Sequence, residues 1–106
     1  MADRDPTDLQ KEINPNFLPN GLLKYLTLAF PELKDSETIC LHYISYGYSN
    51  ERIAELMGKS VWTIKDYVKS LFGIFDVNSK IDLRMIYSCR LSASLFAYIS
   101  NINEKK

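Results

Sequence analysis

Lys65 and Lys69 are the residues of this chain whose type and spacing best define a chemistry. Four positions apart, they stand one helical turn apart and project together, opposite the apolar set Ile64, Val68 and Leu71. Ammonium groups so placed donate to phosphate oxygens and to guanine O6 and N7. Lys59, Ser60, Thr63, Tyr67 and Lys80 add cations and hydroxyls suited to a phosphate backbone, and Asp66 adds a carboxylate able to accept from cytosine N4. Trp62 either packs against a sugar and backbone or covers a neighbouring apolar patch. Tyr67 has a similar choice between a phosphate contact and half-buried packing, and the two lysines taken alone also describe a solvated helix face.

Catalytic chemistry has no comparable support. Ser88, Ser92, Ser94 and Ser100 have no accompanying base, and His42 stands alone on a helix, facing solvent or packed. No paired carboxylates, metal-ligand spacing or phosphate-cradling loop is present, so neither an enzyme nor a cofactor nor a metal is expected. Cys40 and Cys89 fall in apolar helical patterns without CxxC or Cys/His spacing, which suggests buried free thiols in a reducing cytoplasm.

With 106 residues the chain is sized for one domain, and 46% hydrophobic with 25% charged residues is an ordinary globular balance. No apolar run approaches the roughly 20 residues needed to cross a bilayer, and the polar, acidic start lacks the features of a signal peptide. Thirteen basic residues balance thirteen acidic ones, and between Glu32 and Arg90 the tally is eight against eight. A nucleic-acid binder commonly carries a basic excess, because phosphate neutralisation supplies much of its affinity. Here the basic groups must cluster on one face, or the affinity is weak or conditional.

The elements that position these residues follow from apolar periodicity and its punctuation. Residues 1–19 hold four acidic groups and three of the four prolines, as in a flexible arm. Asn20 caps a helix over Gly21–Phe30 that Pro31 ends; Asp35 or Ser36 caps the next, which carries Ile39, Cys40, Tyr43 and Ile44 and stops at Gly47. Ser49 caps a short helix, Asn50–Met57, with Ile53, Ala54 and Met57 inward, and Gly58 ends it. Ser60 caps a helix from Val61 to about Phe72, and Ser79 with Asp82 forms a capping-box pattern for a last helix from Lys80 to about Ser100. The expected domain covers 20–102, with a polar tail at 103–106. The fold class is all-α: a compact helical bundle with an extra N-terminal helix and a long C-terminal one.

From Leu33 to about Tyr87, roughly half the chain, these elements resemble the LuxR-type (GerE-type) helix-turn-helix family of bacterial transcription factors. The resemblance rests on Cys40-Leu41 and Tyr43-Ile44, then on Gly47-Tyr48-Ser49-Asn50-x-x-Ile53-Ala54-x-x-Met57-Gly58. It continues through Ser60-Val61-x-Thr63-Ile64-Lys65-x-Tyr67 and Val77-Asn78-Ser79-Lys80-x-Asp82-Leu83 without a gap. It implies a cytoplasmic regulator of transcription that binds double-stranded DNA as a dimer, its second motif helix entering the major groove. By the same resemblance, Lys65 and Lys69 occupy the positions that contact bases and backbone. Asp66, Trp62, Gly73, Ile74, Ile39 and Lys34 depart from the family pattern. Together with the zero net charge, Asp66, Gly73 and Ile74 motivate a second reading: an interaction protein of the same fold that pairs with another transcription regulator and binds DNA weakly or not at all.

The last helix carries two apolar stripes. One runs from Ile81 or Asp82 through Met85, Ile86, Cys89, Ala93 and Phe96; the other comprises Leu83, Tyr87, Leu91, Leu95 and Tyr98. A surface helix needs only one such face. Either the extra N-terminal helix covers the second stripe, or it pairs with another subunit. The expectation adopted is a homodimer interface at Leu83, Tyr87, Leu91, Leu95 and Tyr98, in line with the family's habit of pairing through this helix.

Overall fold

A computed structural model describes residues 20–104; the arm expected at 1–19 and positions 105–106 of the expected tail lie outside the described residues. The described residues are all-α. Five helices follow in order: α1 Asn20–Ala29, α2 Asp35–Ser45, α3 Asn50–Met57, α4 Val61–Phe75 and α5 Lys80–Glu104.

The punctuation does much of the placing. Ser49 Oγ accepts the Arg52 amide at the start of α3, and Ser60 Oγ accepts the Thr63 amide at the start of α4. Each bond satisfies one of the donors that a helix start leaves without a partner. Gly58 closes α3 at φ 65°, where a side chain would add strain. There the Lys59 amide donates to Ala54 O at 2.9 Å and the Gly58 amide to Glu55 O at 3.2 Å, a Schellman ending that turns the chain sharply.

Several boundaries and one cap differ from the sequence reading; α1 takes in the expected cap Asn20 and ends at Ala29, one residue before Phe30. Lys34, rather than Asp35 or Ser36, precedes the first turn of α2, and the N3 residue Glu37 caps backwards by accepting the Lys34 amide at 2.9 Å. α4 continues past Phe72 to Phe75, because neither Gly73 nor Ile74 breaks it. It ends at Asp76, which takes the left-handed conformation (φ 55°) while the Val77 amide donates to Phe72 O, so the glycine-type ending forms without glycine. α5 runs on to Glu104 instead of ending near Ser100.

α2 is the centre of the molecule, packed against α4 and α5 and flanked by α1 and α3. The core joins Leu26 of α1 and Phe30 just after it, Cys40, Leu41, Tyr43 and Ile44 of α2, and Ile53 of α3 to Ile64 and Leu71 of α4 and Leu83 of α5, all essentially without solvent exposure. Each such large apolar side chain contributes on the order of 1.5–3 kcal/mol when withdrawn from water. In α3, Leu56 is buried together with the expected Ile53 and Ala54, and the expected Met57 is only half-buried beside it.

α5 corrects two expectations. Leu83 (0% exposed) and Tyr87 (8%) are buried in the chain's own core, so they are not an interface for a second subunit. Tyr87 stacks on Phe30 with ring centroids 5.8 Å apart, and half-buried Leu91 accepts the Tyr25 hydroxyl at its carbonyl, so α1 and α2 cover this stripe as far as Leu91. Beyond it, Leu95 (51%) and Tyr98 (61%) are exposed. Cys89 is exposed too, contrary to the buried thiol expected; it lies on the face of α5 turned away from the core.

Candidate functional site

The surface that α4 presents follows from how the helix is held. Ile64, Val68 and Leu71 are buried on one side, and Ser60 fixes the first turn. Midway along, the Ser70 hydroxyl donates to Glu37 Oε2 at 2.6 Å, tying α4 to the first turn of α2. With three points fixed, the opposite face must point outward. Trp62, Asp66, Lys69 and Gly73, at steps of four, three and four, make the outermost row, and all are exposed.

Lys65 flanks that row, exposed, with its ammonium 4.7 Å from the centre of the Trp62 ring. Trp62 is itself 75% exposed, so it covers no apolar patch, and the lysine resting on it is a cation–π contact. Lys59 stands exposed in the turn before α4. Among the described residues the ion pairs are Arg52–Glu55 and Arg90–Glu32, so Lys59, Lys65 and Lys69 reach solvent unpaired with carboxylates. Three exposed cations on one edge, with one indole and one carboxylate among them, can donate hydrogen bonds and neutralise anions.

The other expected contacts divide. Ser60 is exposed, and its Oγ both accepts the Thr63 amide and lies 3.0 Å from Thr63 Oγ1, so these two hydroxyls first of all build the helix start. Tyr67 is half-buried against the core, which is the packing role. Lys80 is half-buried and donates to Asn50 Oδ1, joining the start of α5 to that of α3. It belongs to a joint between helices, not to the exposed edge. The sequence reading gave Ser70 and Gly73 no place in the site. Their signal was available in the steps of three and four from Trp62 and Asp66, which place Gly73 on the outward row and Ser70 at its side.

Known proteins offer no shortcut to a function. No family model, curated protein or solved structure matches the chain. No group of three or more His, Cys, Asp or Glu among the described residues is arranged to hold a metal. An open, mainly apolar groove of about 560 Å³ lies between α1, α2 and the end of α3, lined by Leu23, Ile39, Tyr43, Met57 and Lys59 among others. Glu55 and Lys59 stand at its α3 end. No helix among the described residues is long and apolar enough to cross a membrane.

His42 takes the packed one of its two expected roles. It is 5% exposed, with Nδ1 2.6 Å from the Tyr87 hydroxyl. Burial lowers the His42 pKa and pushes the Tyr87 phenol up to about 12. Burial also lifts the Cys40 thiol to about 12, which leaves it inert.

Proposed function

We propose that this protein is a cytoplasmic transcription regulator of the LuxR-type helix-turn-helix kind, binding double-stranded DNA sequence-specifically as a dimer. α3, the Gly58–Ser60 turn and α4 form the motif, and α4 enters the major groove. The observation that carries this reading is the exposed set Lys59, Lys65 and Lys69, unpaired among the described residues, along a helix whose other face is buried. Lys69 and Asp66 meet base edges, Lys65 and Lys59 meet phosphates or bases, and Trp62 lies against the sugar-phosphate backbone.

The test is retention of a DNA fragment in a mobility-shift titration across salt concentrations. Binding that weakens steeply with salt supports the reading, and replacing Lys65 and Lys69 together with alanine removes specific binding and, with Lys65 on a phosphate and Lys69 on a base edge, lowers the salt slope by about 1. Normal operator binding by that double variant would reject the α4 surface.

One observation favours the second reading, an interaction protein that pairs with another regulator. Asp66 sits in the outermost row itself, between Trp62 and Lys69, where a carboxylate repels phosphate. Gly73 replaces a side chain in the same row and Ile74 beside it is 41% exposed, so the far half of α4 offers little to an anion. Absence of retention on any DNA at low salt, with capture of a defined regulator by the purified chain, selects this reading over the first.

A further inference from the structure

Lys65 rests on a ring instead of a carboxylate. Its ammonium lies 4.7 Å from the centre of the Trp62 ring, and both side chains are exposed. Helix geometry sets up the contact. A helical side chain leans back over the turn that precedes it, and Trp62 stands three positions before Lys65 on that turn. Lys69, four positions ahead, repels Lys65 from the other side. The indole therefore draws Lys65 toward the start of α4 and away from the neighbouring cation.

A ring and a carboxylate hold a cation differently. A carboxylate cancels the charge and takes up donors, as Glu55 does for Arg52 and Glu32 for Arg90. A π face attracts the ammonium but leaves its charge uncancelled, and the N–H groups turned away from the ring stay free to donate. The ring also restrains a long stem whose rotamer freedom is otherwise lost on binding. Trp62 is 75% exposed, so it adds little to the core.

Position decides what the held ammonium meets. Trp62, Asp66, Lys69 and Gly73 form the outermost row of α4, and Lys65 flanks that row. With α4 in a major groove the row goes deepest, to the base edges, and the flank faces the groove wall, which is lined by phosphates. We infer that Trp62 is a positioning residue: through the cation–π contact it commits Lys65 to a backbone phosphate. Lys65 then supplies affinity without sequence discrimination, which falls to Asp66 and Lys69. The inference rests on the DNA reading and deepens it, but the contact that carries it exists in the chain alone.

Two measurements test it. In the free chain, the ring current of Trp62 should move the Lys65 ε-methylene protons upfield of those of Lys69, and Trp62→Leu should remove the displacement. In mobility-shift titrations the probes are a duplex selected from a random-sequence pool and an unselected duplex of equal length. Lys65→Ala should weaken both by the same factor and lower the salt slope by about 1. Trp62→Leu should weaken both by about two- to fivefold with the slope unchanged, and Trp62→Phe should restore most of that loss. In a Lys65→Ala background the loss from Trp62→Leu should shrink, because the two residues act through one contact. All of these side chains are exposed, so the variants should keep the wild-type melting point. Equal losses from Trp62→Leu in the two backgrounds overturn the inference, as does a Lys65→Ala protein that discriminates less between the duplexes. Lys65 protons that coincide with those of Lys69 overturn it too. These results leave the DNA reading standing, whereas a wild type that retains neither duplex at low salt overturns that reading and the inference together.

Discussion

Glu37 holds Ser70: one carboxylate oxygen accepts the serine hydroxyl of α4 at 2.6 Å, and the other accepts the Lys34 amide at 2.9 Å. A carboxylate 7% exposed therefore has both oxygens engaged, one within α2 and one across to the proposed contact helix. Ser70→Ala should leave Glu37 Oε2 buried and unpartnered, at a cost of about 1–3 kcal/mol in urea unfolding. Glu37→Gln keeps the shape but weakens two charge-assisted bonds, and should cost less. A Ser70→Ala protein with unchanged unfolding midpoint would show that α4 is positioned by apolar packing alone.

Gly73 predicts a change of the opposite sign. It lies inside α4, exposed, and a Cβ built on it meets nothing within 4 Å. Its backbone is ordinary helix, since the positive-φ glycines among the described residues are Gly47 and Gly58. Gly73→Ala should stabilise the chain by about 0.5–1 kcal/mol, seen as a melting point raised by a few degrees. Gly58→Ala, by contrast, forces a side chain to φ 65° and should destabilise by about 1–2 kcal/mol. Equal effects of the two substitutions would contradict the assignment of the turn.

The contrast between Gly58 and Gly73 shows what could be read in the sequence. Serines 49, 60 and 79 and glycines 47 and 58 act within one or two turns of themselves, so the helices they bound were legible from local rules. α4 outran its expected end because its stop is Asp76 in a conformation more usual for glycine. The two stripes of α5 have nearly equal apolar content, so periodicity could not say which faces inward. That choice is made by Phe30 and His42, which come from distant elements and pack on Tyr87. In the candidate site, the lysines of α4 were legible because Ile64, Val68 and Leu71 fix the buried side. Lys80 was not, because its partner Asn50 lies 30 residues away.

The two thiols should report their environments directly. Cys89 is exposed, whereas Cys40 is fully buried with its thiol lifted to about 12. A thiolate-reactive reagent at pH 8 should label one cysteine per folded chain within minutes and the second only on unfolding. Cys89→Ser should abolish the fast phase without altering the slow one.

His42 makes the stability of the fold depend on pH. Burial holds its pKa below the ordinary 6.5, so the folded chain keeps the imidazole neutral where the unfolded chain has begun to protonate it. The unfolded state then binds more protons, and stability must rise with pH over that interval. The contribution is complete above about pH 7 and shrinks as pH falls below 6.5, until the folded-state pKa is reached. Carboxylates act lower: the hydrogen bonds from Arg90 depress the Glu32 pKa, so the stability it contributes fades only below about pH 4.5. The window between pH 7 and 5.5 therefore isolates the histidine. Urea midpoints should fall across it in the wild type and stay flat in His42→Gln, whatever the absolute stability of the variant. Tyr87→Phe should keep the slope, because burial and not the phenol causes the shift, while losing about 1–3 kcal/mol at every pH through the orphaned Nδ1. A wild-type midpoint that does not move between pH 7 and 5.5 would mean that His42 is solvated, and that the α2–α5 packing around Tyr87 is looser than described.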